Sequence, residues 1–182
     1  MADIIATRID YRLIHGQVAT KWVKILNISK IVIIDDETSM DDFQKQLLKL
    51  AAPQGVKVVV NSFDRAMTRW EEKQFGTGRV LVLFKYIETA ARAAENGFPI
   101  KELVIGQVPG REDRKIAYKS VNLSNDELDL IKGIQDRGVK VILQMVPDEK
   151  PAAFQPIYDK LKAENEAYKA LTNIQEQHPE MS

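Results

Sequence analysis

The sequence predicts an α/β protein with an open, mainly parallel sheet that has helices on both faces. Short runs of Val, Ile and Leu alternate with amphipathic stretches along the chain, and such nearly continuous apolar runs are typical of strands buried on both faces. Single helices between strands imply right-handed parallel crossovers. Residues 118–123 alternate between apolar and polar and predict one extra edge strand, which is the candidate for an antiparallel one.

Six runs carry the strand pattern, and four helical stripes lie between them. Each stripe repeats apolar residues at i, i+3, i+4 and i+7, so it predicts a helix with one buried side. The predicted strands are residues 4–9, 31–35, 56–60, 79–84, 103–105 and 139–145. The stripes are Val18, Trp22, Ile25 and Leu26, then Phe43, Leu47, Leu50 and Ala51, then Phe63, Ala66, Met67 and Trp70, and last Ile87, Ala90, Ala91 and Ala94.

Capping residues agree with these boundaries. Gly55, Gly97 and Gly138 each follow a helical stripe and precede a strand, where a left-handed cap is favourable. Ser124 and Glu127 have the spacing of a capping box and predict the start of a fifth helix.

The C-terminal part of the chain predicts one more helix and then a tail. After residue 151 an apolar stripe includes Phe154, Ile157 and Leu161. The stripe weakens through Glu164 and Asn165 and resumes at Tyr168 and Leu171, and residues 175–182 are polar. We therefore predict one domain over residues 1–172 and a polar tail over residues 173–182, with His178 exposed in that tail.

Composition excludes several function classes. The chain has 182 residues with 26 basic and 26 acidic side chains, so its formal net charge is zero, which argues against a nucleic-acid binder. It has no cysteine, which excludes disulfides and thiolate chemistry, and only two histidines, far apart, which disfavours a metal site. No apolar run approaches the ~20 residues of a membrane helix.

The loop after the first strand collects the side chains best suited to chemistry. In open α/β sheets, ligands bind beyond the carboxyl ends of the strands. This loop contains Arg8, Asp10, Arg12 and His15. A neutral imidazole is a good nucleophile, and arginine forks neutralise phosphoryl oxygens. The carboxylate of Asp10 would orient an arginine or fix the tautomer of the imidazole.

The start of the next helix adds a second anion-binding feature. The helix is predicted to begin near Gln17, and a helix N-terminus offers unpaired N–H groups to phosphate oxygens. Gly16 would let the backbone pass close to a bulky phosphate. Two simpler interpretations stay open: His15 as a cap or surface residue, and the charged groups as a solvated ion-pair cluster. The residues alone predict an anion site with a candidate histidine nucleophile.

Residues 8–18 read RIDYRLIHGQV, and this segment closely resembles the active-site signature of enzyme IIB of the bacterial phosphoenolpyruvate-dependent sugar phosphotransferase system, mannose/fructose/sorbose family. Residues 31–37, 52–58 and 138–147 resemble later segments of the same family, so the resemblance covers most of the chain. Gly106-Gln107 departs from a Gly-Gly pair that is common in relatives, and Tyr11 stands where many have an acidic or small polar residue.

The resemblance implies that His15 is phosphorylated transiently, at Nδ1, by a phosphohistidine of a IIA protein. It further implies that His15 delivers the phosphoryl group to a sugar held by the membrane components IIC and IID. Arg12 would be the main phosphate-binding side chain. The residues expected to support this site are Arg8, Asp10, Gly16 and Gln17.

The resemblance also sets expectations about partners and location. Tyr11, Leu13 and Ile14 are candidate partner contacts, with the alternative that Leu13 or Ile14 anchors the loop to the core. No cofactor or metal is expected. The protein would be a free-standing cytoplasmic subunit that associates with the inner face of the membrane through IIC and IID without inserting into it. A homo-oligomer stays open.

An acidic turn and three rival functions offer alternatives to this interpretation. Asp35, Asp36 and Glu37 are interpreted as a turn before a helix capped by Ser39 or Asp41, with Asp36 bordering the active loop if the first two strands are adjacent. A phosphorylated receiver domain and a His-x-Gly-His nucleotidyltransferase both lack their required residues. A non-enzymatic anion-sensing module that uses the same loop remains the alternative.

Overall fold

A seven-stranded sheet forms the centre of the protein in the computed structural model, which describes residues 2–177 and their side chains as far as residue 170. The strand order is β3-β2-β4-β1-β5-β8-β9, and every pairing is parallel except that of β9. All six predicted runs are strands, with ends that differ from prediction by at most two residues. They are β1 (Asp3–Ile9), β2 (Lys30–Ile34), β3 (Lys57–Asn61), β4 (Arg79–Phe84), β5 (Glu102–Ile105) and β8 (Lys140–Leu143).

Helices cover both faces of the sheet, as predicted. Residues 16–25 are helical, with a π-helical turn at Val18–Trp22 that continues into α1 (Val23–Ile25). This segment and α3 share one apolar core, and the helices from α4 onward share the core on the opposite face. The remaining helices are α2 (Asp36–Met40), α3 (Asp42–Ala51), α4 (Phe63–Lys73), α5 (Ile87–Glu95), α6 (Asn125–Asp136) and α7 (Phe154–Gln177).

The antiparallel edge strand is not where the sequence predicted it. Residues 118–123 belong to a separate hairpin of β6 (Lys115–Tyr118) and β7 (Val121–Leu123). The antiparallel edge of the main sheet is β9 (Ala152–Ala153), which pairs with β8. The prediction was wrong about place because the alternating pattern shows that a strand is half exposed and does not show which strand it pairs with.

Two of the three predicted glycine caps are confirmed. Gly97 and Gly138 directly follow the C-cap residues of α5 and α6 and have φ angles of 77° and 87°, the left-handed conformation that ends a helix cheaply only for glycine. Gly55 is also left-handed, with a φ of 84°, but it does not cap α3: that helix ends at Ala51, and Gly55 lies in the turn before β3 in which Val56 N–H donates to the Pro53 carbonyl. Ser124 and Glu127 form both hydrogen bonds of the capping box.

The predicted inward stripe of the second helix is wrong. In α3, the side chains of Phe43, Leu47 and Leu50 are exposed, and Leu48 is the buried residue. A helical period identifies an apolar face but does not say that the parent domain covers it.

The C-terminal helix is longer than its stripe suggested. Helix α7 runs without interruption from Phe154 to Gln177, so residue 172 lies inside a helix. Residues 178–182, which include His178, lie outside the described residues. No helix in the described part of the chain is long and apolar enough to cross a membrane.

Candidate active site

The loop after β1 leaves the sheet at a topological switch point. Strand β1 lies between β4 and β5 in the sheet. The helix that follows β1 packs on one face, whereas the helices that follow its two neighbours pack on the other. Diverging connections open a crevice at the carboxyl edge of such a sheet, where ligands bind. The predicted site residues therefore lie at the favoured position of this fold.

A buried ion pair forms the base of the loop. Arg8 and Asp10 expose 1% and 0% of their surface. Arg8 donates to Asp10 Oδ2 from Nη2 at 2.9 Å and from Nε at 3.2 Å. Asp10 Oδ1 accepts the backbone N–H of Arg12 at 3.2 Å. These bonds fix the first turn of the loop from inside the protein.

The same carboxylate contacts the candidate nucleophile. Nε2 of His15 lies 3.0 Å from Asp10 Oδ2. Burial opposes ionisation of Asp10, but the hydrogen bond with His15 and the charge of Arg8 outweigh it and lower the pKa of Asp10 below its usual value. An ionised carboxylate only accepts hydrogen bonds, so in the neutral imidazole Nε2 carries the proton. The lone pair of His15 is then on Nδ1.

The buried guanidinium of Arg8 is enclosed by a late part of the chain. Nη1 donates to the carbonyl of Gln144 at 2.8 Å, and Nη2 donates to that of Met145 at 3.2 Å. The Trp22 ring lies 4.9 Å from the guanidinium carbon and donates from Nε1 to the same Met145 carbonyl at 3.1 Å. Burial lowers the pKa of Arg8, against the opposing charge of Asp10. Arg8 is thus a structural cation that ties β1 to the segment after β8.

Gly106 makes room for that guanidinium. A Cβ built on Gly106 would lie 2.1 Å from Nη2 of Arg8. The backbone of this loop also pairs with β1, because Gly106 N–H donates to the Ile9 carbonyl at 2.8 Å and Tyr11 N–H donates to the Gln107 carbonyl at 2.9 Å. In the sequence, Gly106 is the first residue of the Gly106-Gln107 pair, which replaces a Gly-Gly pair that is common in relatives. The structure shows that a side chain at position 106 would collide with Arg8.

Arg12, Gly16 and Gln17 lie on the exposed side of the loop. Within the described part of the chain, the guanidinium of Arg12 has no hydrogen-bond or ion-pair partner, so the protein does not neutralise its charge. A Cβ on Gly16 would meet nothing within 4 Å. A side chain at this position would therefore not collide with the protein itself.

The three candidate partner contacts separate into two groups. Tyr11 is exposed, and its ring packs edge-on against Tyr86 at 6.1 Å between centroids. Leu13 and Ile14 are buried in the apolar core beside Trp22. Their predicted contact with a partner is corrected: these two residues anchor the loop, which was the alternative. Leu13 accepts a φ of 56° to turn its side chain inward.

Lys85 and Tyr86 are site neighbours that the sequence did not suggest. They follow β4, which lies between β1 and β2, so the first two strands are not adjacent. Lys85 Nζ and the Tyr86 hydroxyl both contact Glu37 Oε2 at 3.1 Å, and these bonds lower the pKa of Glu37. Lys85 Nζ also lies 5.6 Å from the Tyr11 ring centroid. Only strand order brings these groups to the loop.

The acidic turn serves the helices that follow it. Asp35 caps α2 by accepting from Thr38, and Asp41 caps α3 as expected. Asp36 accepts from the backbone of Phe63 at 2.8 Å and so holds the start of α4 rather than bordering the active loop. Among residues 2–177, no group of three His, Asp or Glu side chains is arranged to hold a metal ion.

The fold and the loop define a class of protein: a doubly wound α/β domain that presents a carboxylate-held imidazole at a switch point of its sheet. The family described as "PTS system sorbose subfamily IIB component" matches residues 4–169. The chain belongs to this family, which is part of the mannose/fructose/sorbose group of the phosphotransferase system. IIB components are phosphotransferase components of sugar transport.

Individual relatives agree with the family. The sorbose-specific EIIB component of Klebsiella pneumoniae is 34% identical over 147 residues, which cover 81% of this chain and 90% of that protein. The crystal structure of manxB from Thermoanaerobacter tengcongensis is 42% identical, with a TM-score of 0.82 over 88% of this chain and 97% of that one. The mannose-specific EIIAB component of Escherichia coli (strain K12) is 29% identical over 85% of this chain and 48% of its own length.

Proposed function

We propose that His15 accepts a phosphoryl group from a phosphohistidine of a IIA protein and transfers it to a sugar held by the membrane components IIC and IID. The observation that carries the proposal is the contact between His15 Nε2 and the ionised Asp10, 3.0 Å apart. It gives the imidazole one tautomer and leaves Nδ1 as the nucleophile.

The transfer can be written with every atom placed. The Nδ1 lone pair of His15 attacks phosphorus, and the bond between phosphorus and the donor's nitrogen breaks. His15 keeps the proton on Nε2, so the phosphorylated ring is cationic, and the buried Asp10 carboxylate compensates that charge. In the second step a sugar hydroxyl attacks phosphorus as the bond between phosphorus and Nδ1 breaks. The hydroxyl proton passes to solvent, and His15 returns to its neutral form with its own proton still on Nε2.

The neighbouring groups divide the remaining work. Arg12 supplies an exposed guanidinium, without a partner among the side chains that the structure describes, for the oxygens of the transferring group. The backbone N–H groups around Gly16 and Gln17, at the start of the helical segment 16–25, are further donors. Arg8 acts through Asp10 and is a positioning residue, because it is buried away from the incoming group.

Membership of the family supports a proposal about partners and location. IIB components act with IIA and with membrane IIC and IID components, and the name of the E. coli EIIAB relative joins an A and a B unit. We propose that this chain meets both kinds of partner at the carboxyl edge of its sheet, where His15 and the exposed Tyr11 lie. It would then work in the cytoplasm and reach the inner face of the membrane only by docking to IIC and IID.

The deciding experiment is phosphorylation from phosphoenolpyruvate through the general phosphotransferase proteins and a IIA protein of the same family. Wild-type protein should form an acid-labile, base-stable adduct, and nuclear magnetic resonance should place phosphorus on Nδ1 of His15. His178→Ala is the matched control, since it removes the other histidine and should label normally. Labelling of His15→Ala at the wild-type level would reject the proposal. Phosphate binding without any adduct would favour the anion-sensing alternative instead.

A further inference from the structure

We propose that this protein self-associates through the outward face of α3, with α3 of a second copy packed antiparallel to it across a two-fold axis near Leu47. The inference concerns a surface remote from the chemistry of His15 and goes beyond the proposed function. It does not depend on phosphoryl transfer.

The first observation is that α3 presents its apolar side to solvent. Phe43, Leu47 and Leu50 are 69%, 48% and 82% exposed, and they lie at i, i+4 and i+7, which is one stripe along the helix. Leu48, on the other side of the helix, packs into the core. Exposed apolar residues are normal when scattered, but a continuous stripe is a feature of interaction surfaces.

The second observation is a groove beside the stripe. An open cavity of about 570 Å³ lies between the helical segment 16–25 and the end of α3. Ala51 lines it and is one helical turn after Leu47, so stripe and groove share a border. Apolar side chains dominate the wall of the groove, namely those of Ala19, Val23, Ile28, Ala51, Pro53 and Val56.

A ridge next to a groove is self-complementary under a two-fold axis. Each copy then places its α3 stripe against the stripe and groove of the other, which is the isologous arrangement of most homodimers. Antiparallel packing centred near Leu47 sets Phe43 of one copy against Leu50 of the other. Phe43 and Leu50 lie at nearly equal distances on either side of Leu47, so the two-fold axis forms the contact between Phe43 and Leu50 twice.

The charges beside the stripe favour the same antiparallel orientation of the second copy. Asp42 and Lys49 lie two turns apart on one flank of the stripe, and Asp42 is 89% exposed although it pairs with Lys45 of its own helix. Antiparallel packing brings Asp42 of each copy next to Lys49 of the other.

Size limits the affinity. Helix α3 has 10 residues and is ~15 Å long, and a standard interface buries about 800 Å² on each partner. The stripe alone is too small for that area, so the groove must take part. We therefore expect a reversible dimer with a dissociation constant in roughly the micromolar range.

Sedimentation equilibrium of the purified chain tests the proposal. The protein concentration should run from about 1 µM to about 1 mM, which covers the expected dissociation constant. Wild-type protein should pass from monomer to dimer. Leu47→Lys should remain monomeric throughout. Ile116→Lys is the control, since Ile116 is a comparably exposed aliphatic residue on the β6–β7 hairpin, and it should dimerise like wild type. A monomeric wild type at the highest concentration, or a Leu47→Lys variant that dimerises normally, overturns the proposal.

Geometry gives a second and sharper test. The chain has no cysteine, so Leu47→Cys introduces a single thiol. Under mild oxidation this thiol should form a disulfide with the same position of the second copy. Ile116→Cys should not form one. Asp42→Lys should weaken the dimer, and adding Lys49→Asp should restore it. A dimer that ignores this charge exchange uses another surface and rejects the arrangement. Circular dichroism melting of each variant shows whether loss of dimer reflects loss of fold.

Discussion

Asp10 Oδ2 receives both the buried guanidinium of Arg8, at 2.9 Å, and Nε2 of His15, at 3.0 Å. One carboxylate oxygen therefore links a structural cation to the candidate nucleophile. The pair also decides which ring nitrogen of the neutral His15 side chain carries the lone pair, because an ionised carboxylate accepts and never donates.

Asp10→Asn tests whether Asp10 orients the His15 ring, because the substitution changes the hydrogen bonding of the side chain and almost preserves its shape. The amide is nearly isosteric, but its NH₂ group can donate to Nε2 and so favour the wrong tautomer. We expect phosphorylation of His15 to slow by about 10²-fold or more. Stopped-flow or quench measurement of transfer from the IIA protein gives the rate. A transfer rate within twofold of wild type would show that Asp10 does not orient the ring.

Replacing both partners of the Arg8–Asp10 pair should cost less stability than the sum of the two single replacements. Arg8→Met leaves a buried carboxylate without its cation, and breaking such a pair costs about 3–5 kcal/mol. The double variant Arg8→Met/Asp10→Asn removes both charges and should lose less than the sum of the single losses. Urea unfolding of the wild type, the two single variants and the double variant completes a double-mutant cycle. Additive losses would mean that the two groups do not interact.

Gly106→Ala tests the close approach of β5's loop to Arg8. The added Cβ would meet the buried guanidinium at 2.1 Å, and overpacking of this kind costs about 1–3 kcal/mol. Gly110→Ala is the control in the same loop, since its Cβ would meet nothing within 4 Å. Urea unfolding should show a loss for the first variant alone. Equal stabilities would show that the loop relaxes freely.

Acid should weaken the fold partly through Asp10. The pKa of this carboxyl group is lower in the folded protein than its ordinary value of 3.8. A lowered folded pKa contributes stability that is present above the unfolded pKa and is lost as the pH falls toward the folded pKa. The free energy of unfolding should therefore decrease below about pH 4. Asp10→Asn should show a shallower acid slope, and an unchanged slope would assign the effect to other carboxylates.

Arg12→Gln should impair transfer without weakening the fold. The Arg12 side chain is exposed and unpaired within the described part of the chain, so its loss should change unfolding by less than ~0.5 kcal/mol. Loss of one charged phosphate contact should slow transfer by on the order of 10²-fold. Arg12→Lys is the matched variant and should recover part of the rate as a point charge. Unchanged kinetics would leave Arg12 without a part in the reaction.

The sequence predicted the strands and caps of this fold because both depend on local chemistry. The run at residues 79–84 is strand β4 to the residue, and Gly97 and Gly138 are left-handed where α5 and α6 end. The predictions from sequence failed where the structure depends on which segments pack against each other. The alternation near Tyr118 did not say that β6 pairs with β7, and the stripe on Phe43 did not say which way α3 faces.

The loop chemistry could likewise be proposed from eleven consecutive residues, and the family resemblance also implied separate roles for Arg12 and Arg8. The physical basis of those roles could not be predicted. Arg8, Arg12 and His15 look alike in sequence as charged or polar loop positions. Burial separates them: Arg8 is enclosed by carbonyls from residues 144 and 145, and Arg12 is left to solvent.

By itself, then, the sequence determined the class of fold, the family and the loop that carries His15, since these follow from periodicity and from one contiguous segment. Only the tertiary structure decided the strand order that places Lys85 beside that loop, the glycine that admits Arg8, and the outward face of α3. The reason is physical. Each of these depends on which distant segments meet, and burial, pairing and steric fit are properties of that meeting rather than of any local run of residues.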